Sequence, residues 1–270
     1  MTRHPLYRSF FGFTREPFSV EITIEEIFTT PALSAFSERF DYVLRLGAIG
    51  LLTGEVGAGK STALRFAASR LHPSQYHTLW MTASSGSILE TYRQLAAALD
   101  VETKSFSRSA LLRIIRQGVY ELVNKKMQPL LIIDEASLLR LDVFAELHTL
   151  CQFEADSKPY LPLILAGQNN LVDLLQYRSS LPLSSRIVAR SHLEGIDLEQ
   201  MPHYLAHHLS IAGVKTQLFS APAITAIQQG SAGLLRRVNH LARGALIAAA
   251  NEKCQQVSAE HVRLAATELV

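Results

Sequence analysis

The sequence predicts an α/β fold in which a parallel-sheet domain is followed by a small α-helical lid domain. Short apolar runs alternate with helical patterns over residues 49–194, which is typical of a parallel sheet. After about Gly195, apolar residues recur only at helical spacing, which indicates a bundle of about four helices. We therefore expect three parts: a lead-in over residues 1–48, the sheet domain over 49–194 and the lid over 195–270.

The composition favours a cytosolic globular protein. Of the 270 residues 48% are hydrophobic, and the formal net charge is +2. The sequence contains no run of about 18 apolar residues, so we expect no membrane span. The N-terminus lacks the apolar core of a signal peptide. The two cysteines, Cys151 and Cys254, lack the spacing of metal ligands. We expect reduced thiols, a cytoplasmic location and no membrane partner, with a charge that permits nucleic-acid binding without requiring it.

The lead-in combines an aromatic cluster with a capped helix. The aromatic residues lie in Phe10-Phe11-Gly12-Phe13 and Pro17-Phe18. Thr30 and Pro31 occupy the cap and first position of a helix that we predict over residues 32–46.

The first predicted strand, over residues 49–53, leads into the pattern G-x-x-x-x-G-K-[ST] of phosphate-binding loops. The matching residues are Gly54, Glu55, Val56, Gly57, Ala58, Gly59, Lys60, Ser61 and Thr62. Glycines let backbone N–H groups turn towards phosphate oxygens. Lys60 would reach the β- and γ-phosphates of ATP, and the Ser61 hydroxyl would bind Mg²⁺. The helix over 61–71 would point the positive end of its dipole at the phosphates; a coincidental glycine-rich turn is the alternative.

A second acidic element follows the strand that we predict over residues 129–133. The four apolar residues of this run favour a strand buried on both faces of a parallel sheet. Asp134 and Glu135 then emerge at its carboxyl end, where open α/β sheets bind ligands. Asp134 would anchor Mg²⁺ through water, and Glu135 is the candidate general base for the attacking water. A solvated acidic pair is the alternative.

Periodicity predicts the other elements. Further strands are expected at 77–82, 161–166 and 186–191, and further helices of the sheet domain at 87–99, 109–124 and 142–153. The lid helices are expected at 201–212, 221–229, 234–250 and 258–269.

This architecture and these motifs resemble the AAA+ ATPases, a class of P-loop proteins. Several segments narrow the resemblance to the ExeA-type ATPases, and these relatives are similar to transposition regulators of the TnsC, IstB and Mu B kind. The segments are the aromatic lead-in, Thr53-Gly54-Glu55-Val56-Gly57, Ile133-Asp134-Glu135-Ala136, Leu165-Ala166-Gly167-Gln168 and Gly233-Leu234-Leu235-Arg236-Arg237-Val238-Asn239.

The resemblance implies two further catalytic residues. Gln168, or its neighbour Asn169, follows the fourth strand, where a polar side chain senses the γ-phosphate and positions water. Arg186 resembles the arginine that is offered to the nucleotide of a neighbouring subunit and stabilises transition-state charge. A strand-end turn and a surface arginine are the respective alternatives.

The resemblance also implies contacts to the nucleotide from the lid and the lead-in. Arg236 matches the lid arginine that reaches the γ-phosphate, with Arg237 as the alternate and a charged helix surface as the other interpretation. Leu235 departs from the proline that is common in the family, so the start of the helix is less fixed. Aromatic and proline side chains of the lead-in would flank adenine, unless they pack in an ordinary core: Phe11, Pro17 and Phe18.

Our first functional hypothesis is ATP-dependent assembly on double-stranded DNA. Subunits with bound ATP would form a ring or helical homo-oligomer and direct a transposase or target-selection protein, with basic side chains contacting phosphates. The candidates are Lys104, Ser105 and Arg108, and more weakly Arg113, Arg116, Lys125 and Lys126. A solvated charged face is the alternative for each.

The second hypothesis is a soluble ATPase of a secretion-assembly complex. Longer secretion-type relatives carry a membrane span and a wall-binding module after the ATPase, whereas this sequence ends at Val270 after a lid helix, which favours transposition. A third class, a nucleotide switch without hydrolysis, is disfavoured by the intact pair Asp134 and Glu135.

Overall fold

The computed structural model describes residues 6–101 and 107–268, and its centre is a five-stranded parallel sheet. The strands are β1 (Ile49–Gly54), β2 (Tyr76–Thr82), β3 (Gln128–Asp134), β4 (Leu163–Gly167) and β5 (Ile187–Leu193). Their order across the sheet is β2-β3-β4-β1-β5, and every neighbouring pair is parallel. The predicted parallel α/β sheet is confirmed.

Helices follow the strands in the predicted order. They are α1 (Leu6–Phe11), α2 (Pro31–Leu46), α3 (Lys60–Ser69), α4 (Ile88–Ala98), α5 (Arg108–Asn124), α6 (Leu141–Leu150), α7 (Asn170–Gln176), α8 (Leu181–Ser184), α9 (Met201–Ile211), α10 (Ala221–Ser231), α11 (Leu235–Asn251) and α12 (Ala259–Thr267). A short 3-10 turn, Ala136–Leu138, follows β3. The sequence did not predict α1, α7, α8 or this turn, each of which is too short to show a helical period.

The helix α2 begins where its cap was predicted. The Thr30 hydroxyl accepts a hydrogen bond from the Leu33 amide at 3.1 Å, which satisfies one of the free amides of the first turn. At the other end Gly47 adopts a left-handed conformation (φ 61°), and its amide bonds to the Leu44 carbonyl.

The chain divides into two compact units. The sheet unit contains residues 30–55 and 60–193, and β1, β3 and β4 form its buried centre. Because all but one of the residues of these three strands are buried, they read as continuous apolar runs instead of alternating patterns.

The helical unit contains described residues 6–29, 56–59 and 194–268. The predicted lead-in over 1–48 is therefore divided, because α2 belongs to the sheet unit. Within the helical unit the lead-in is held by its backbone: the Thr14 amide donates to the Ala212 carbonyl at 2.9 Å, and Arg243 donates to the Phe18 carbonyl at 2.6 Å.

Within the two described stretches, no helix is both long enough and apolar enough to cross a lipid bilayer.

Candidate nucleotide-binding site

The loop between β1 and α3 has the backbone that a phosphate-binding loop needs. Gly57 and Gly59 have φ values of 86° and 97°, a region that residues with a Cβ rarely adopt. Residues with positive φ that alternate with residues of negative φ direct successive amide groups to one side and form an anion-binding concavity. The loop therefore has the local backbone conformation that phosphate binding requires.

Lys60 starts α3 and is buried, with 6% of its surface exposed. Its ammonium group donates to the carbonyl oxygens of Gly54 at 2.9 Å and Glu55 at 3.0 Å, both in the first turn of the loop. A buried ammonium needs such partners to offset the loss of water. Ser61, the next residue, is exposed.

Asp134 and Glu135 lie where β3 ends. Asp134 is 6% exposed, and its Oδ1 accepts a hydrogen bond from the Glu135 amide at 2.8 Å. Glu135 has a left-handed backbone conformation, with φ at 54°. For a residue with a Cβ this costs about 1–3 kcal/mol, and such strain is concentrated at functional sites. The conformation turns the chain sharply from the strand into the 3-10 turn.

Sheet order brings the acidic pair and the start of the loop to one edge. β4 pairs in parallel with both β1 and β3, so the carboxyl ends of these three strands lie side by side. These ends carry Gly54, Gly167 and Asp134. Open α/β sheets bind their ligands outside this edge.

Of the two residues considered after the fourth strand, Asn169 contacts the loop. Its side-chain amide donates to Oε1 of Glu55 at 2.6 Å. The backbone amide of Gln168 instead donates to the hydroxyl of Ser137 at 3.3 Å, beside the acidic pair. Of the two residues, Asn169 thus contacts the loop through its side chain, while Gln168 contacts the turn after β3 through its backbone amide.

Arg186 precedes β5 in the sheet unit and forms an ion pair with Asp156. The hydrogen bond from Arg186 holds the pKa of Asp156 below its usual value. The role of Asp156 could not be predicted from the sequence, because a short acidic turn 30 residues away carries no signal of such a pairing.

In the helical unit, Arg236 and Arg237 lie in the first turn of α11, which begins at Leu235, and both are exposed. The backbone amide of Arg236 donates to the Gly57 carbonyl at 3.2 Å, so the start of this helix contacts the middle of the glycine loop within one unit. The position predicted for a lid arginine is therefore next to the loop.

Phe11 and Pro17 are buried in the helical unit. Phe11 packs edge-on to Phe10, with ring centroids 4.8 Å apart, and contacts Phe13 at 5.7 Å. Phe18 stacks on His208 at 5.2 Å. Phe11, Phe13 and Phe18 therefore belong to the core of the helical unit, and contact with adenine stays a prediction.

The candidates for DNA contact fall into two groups. Lys104 and Ser105 lie outside the described residues. Arg108 is described: its guanidinium pairs with Glu146 on α6, which also accepts from the Tyr92 hydroxyl at 2.5 Å. Arg116 donates to two carbonyls at the end of α6, those of Thr149 at 2.8 Å and Gln152 at 3.2 Å. Both arginines thus bind α6 within the chain, which the sequence did not predict.

The residues present fit ATP and Mg²⁺. In the sheet unit, the buried ammonium of Lys60 and the start of α3 would bind phosphate oxygens. The positive φ values of Gly57 and Gly59 give the loop the backbone that this binding needs. The hydroxyl of Ser61 and the carboxylate of Asp134 are oxygen ligands of the kind that Mg²⁺ prefers. Lys60 and the loop would hold the nucleotide, and Ser61 and Asp134 would hold the metal ion.

Comparison with known proteins agrees with this geometry. Residues 44–175 match a family model described as an AAA domain. The chain is also 28% identical to General secretion pathway protein A of Aeromonas hydrophila, over 98% of this chain and 48% of that protein. It thus spans about half the length of this relative, and the similarity supports the resemblance to ExeA-type AAA+ ATPases.

Solved structures show the same fold at low sequence identity. Cdc6p of Pyrobaculum aerophilum has a TM-score of 0.72 at 16% identity, covering 94% of this chain and 70% of its own. ORC1 of Aeropyrum pernix, solved with DNA, has a TM-score of 0.69 at 18% identity over 90% of this chain and 67% of its own. The RuvB motor of Thermotoga maritima has a TM-score of 0.57 at 21% identity over 94% and 72%. These structures share the fold, and the match to the AAA family model supports an ATPase, as the motifs predict.

Proposed function

We propose that the protein binds ATP with Mg²⁺ and hydrolyses it at a pocket that a second copy of the chain completes. The observation that carries this proposal is the meeting of Gly54, at the start of the phosphate loop, with the buried carboxylate of Asp134 at one edge of a parallel sheet. Each motif alone is weaker support for ATP hydrolysis than the two motifs together at the same edge of the sheet.

We assign each of these residues a role. Lys60 and the loop amides bind the phosphates, and Ser61 and Asp134 hold Mg²⁺, which when bound neutralises charge on the phosphate oxygens. Glu135 accepts a proton from the attacking water. Asn169, or Gln168, orients that water, and Arg236 contacts the γ-phosphate from the lid.

The shared pocket follows from Arg186. An arginine supplied by a neighbouring subunit stabilises transition-state charge and raises turnover by orders of magnitude. Hydrolysis therefore depends on protein concentration, because an isolated subunit lacks this residue at its own nucleotide. Loss of this dependence would contradict self-association.

Double-stranded DNA is the proposed surface for assembly. Support comes from the fold: one similar structure, ORC1, was solved in complex with DNA, and another is described as a Holliday junction branch migration motor. We propose contacts from Lys104 and Ser105, while Arg108 braces the start of α5 through Glu146. Assembly on DNA would then direct a transposase or target-selection protein, as in regulators of the TnsC, IstB and Mu B kind.

The test is duplex-DNA binding across a salt series, with and without a non-hydrolysable ATP analogue. The analogue should increase affinity, and the affinity should fall steeply with salt. Lys104→Ala should lower the slope of log affinity against log salt by about 0.9, whereas Lys215→Ala, the same charge change on the lid, should leave it unchanged. No stimulation by the analogue at low salt would contradict the DNA proposal.

A secretion-assembly ATPase is the second candidate, because the matched relative bears the name General secretion pathway protein A. Under this alternative, turnover still requires Mg²⁺ and assembly, but duplex DNA changes neither turnover nor oligomeric state. Measuring turnover with and without DNA therefore separates the two candidates.

A further inference from the structure

Arg186, the residue offered to a neighbouring subunit, already has an anionic partner in its own chain. Its Nη2 donates to Oδ2 of Asp156, and only 27% of its side chain is exposed. His148 also interacts electrostatically with Arg186, and burial lowers the pKa of this imidazole. Asp156 is the anionic group that Arg186 binds within the described residues.

Asp156 lies at the tip of the loop between α6 and β4, and the base of this loop is fixed. Phe153 is buried and forms an antiparallel bridge with Lys158. Its ring packs edge-on against Tyr120 at 5.5 Å and Tyr160 at 5.7 Å. The tip of the loop therefore projects from a base that is fixed by packing.

The tip itself has an unfavourable backbone. Three consecutive residues with a Cβ have positive φ values, Glu154 at 47°, Ala155 at 53° and Asp156 at 70°. Side chains disfavour this region, so the conformation depends on contacts that the tip makes. Arg186 supplies such a contact at Asp156, and Tyr160 supplies one at Glu154, where its hydroxyl donates at 3.1 Å.

We propose that Asp156 is a positioning residue that holds Arg186 in the unassembled chain and releases it to the nucleotide of a neighbouring subunit. This inference rests on the proposed shared pocket. A triphosphate carries more negative charge than one carboxylate, so it competes effectively for the same guanidinium. Because partly exposed ion pairs contribute little in water, the exchange changes the protein concentration needed for assembly by about two- to five-fold.

The experiment measures ATP turnover per subunit of the full chain against protein concentration, with Mg²⁺ present. Asp156→Asn keeps the shape of the side chain and removes its charge. The matched control is Glu154→Gln, two residues away, which keeps an oxygen that accepts from Tyr160. Arg186→Ala and the double variant Asp156→Asn/Arg186→Ala complete the set.

We expect Asp156→Asn to reach half-maximal turnover at a protein concentration about two- to five-fold lower than the wild type, with the same plateau. Glu154→Gln should follow the wild-type curve, and the double variant should be as inactive as Arg186→Ala. An unchanged curve for Asp156→Asn, or a lost plateau, would overturn the inference while leaving the shared pocket intact. Full activity of Arg186→Ala would instead overturn the shared pocket, and this inference with it.

Discussion

Glu135 holds a strained backbone conformation directly after the strand that ends in Asp134, with φ at 54°. We expect Glu135→Gln to lower ATP turnover by about 10²- to 10⁴-fold, because the amide cannot accept the proton of water. ATP affinity should stay near the wild-type value, since the amide is the same size and Lys60 is untouched. Steady-state kinetics measures the expected loss of turnover, and equilibrium nucleotide binding measures the expected ATP affinity. Unchanged turnover would show that another group is the base.

Gly57 tests whether the glycines of the loop are there for binding or only for folding. Both Gly57→Ala and Gly12→Ala place a Cβ at positive φ, 86° and 77° respectively. We expect each to lower the free energy of unfolding by about 1–2 kcal/mol. Only at Gly57 does the new Cβ meet a neighbour, Arg236 Cβ at 2.8 Å, whereas Gly12 has open space.

The ATP affinity of the two glycine variants should therefore differ. Gly57→Ala should weaken ATP binding by about ten-fold or more, because the loop and the start of α11 must shift. Gly12→Ala should bind ATP as the wild type does. Titration calorimetry of both proteins gives the answer, and equal ATP affinity would mean that the loop tolerates a side chain.

At the scale of elements, Glu146 joins three helices. It accepts from Tyr92 on α4 and pairs with Arg108 on α5, from its own position on α6. Glu146→Ala should lower the free energy of unfolding by about 1–3 kcal/mol, since the buried Tyr92 hydroxyl loses its acceptor. Glu146→Gln keeps that acceptor and removes only the pair with the exposed arginine, so it should cost less than about 1 kcal/mol. Denaturant titration measures both, and equal costs would assign the stabilisation to the charge.

The lid helix α9 should make the protein sensitive to acid through His208. Burial, reinforced by the charge of His207, lowers the pKa of His208 to about 4. The unfolded chain therefore binds this proton first, so the contribution to stability is fully present above about pH 6.5 and is lost as pH falls towards 4. We expect a loss of about 1.4 kcal/mol per pH unit across that window.

The measurement is the free energy of unfolding between pH 7 and 4 for three proteins. His208→Phe keeps a ring but cannot titrate, so it should lack this part of the pH dependence. His203→Gln changes an exposed histidine on the same helix and should behave as the wild type. An identical pH profile for His208→Phe and the wild type would mean that acid acts elsewhere.

Long elements could be predicted from the sequence, and short or distant contacts could not. The cap at Thr30 and the five strands follow from local chemistry and apolar runs, and the structure confirms them. The helices α7 and α8 have seven and four residues, too few for a period to appear. The ion pairs Arg186–Asp156 and Arg108–Glu146 join residues 30 and 38 positions apart, and nothing in either local sequence indicates them.

At the scale of the whole molecule, the two nucleotide motifs could be predicted because their residue types and spacing determine their local geometry. The packing of the lead-in in the helical unit could not be predicted. Residues 6–29 pack in the helical unit because Arg15 donates to the Ile211 carbonyl at 3.0 Å and Phe18 enters a core with Phe219. These partners lie 196 and 201 positions away, beyond any local pattern.

The central claim is that one copy of the chain holds ATP and its general base while another supplies the arginine. The most direct test is turnover by a mixture of two variants, Glu135→Gln and Arg186→Ala. Each should be nearly inactive alone, because the first lacks the base and the second lacks the arginine for its neighbour. Mixed together they should regain turnover, since an Arg186→Ala subunit keeps its base and receives Arg186 from a Glu135→Gln neighbour. A mixture no more active than its parts would contradict the shared pocket.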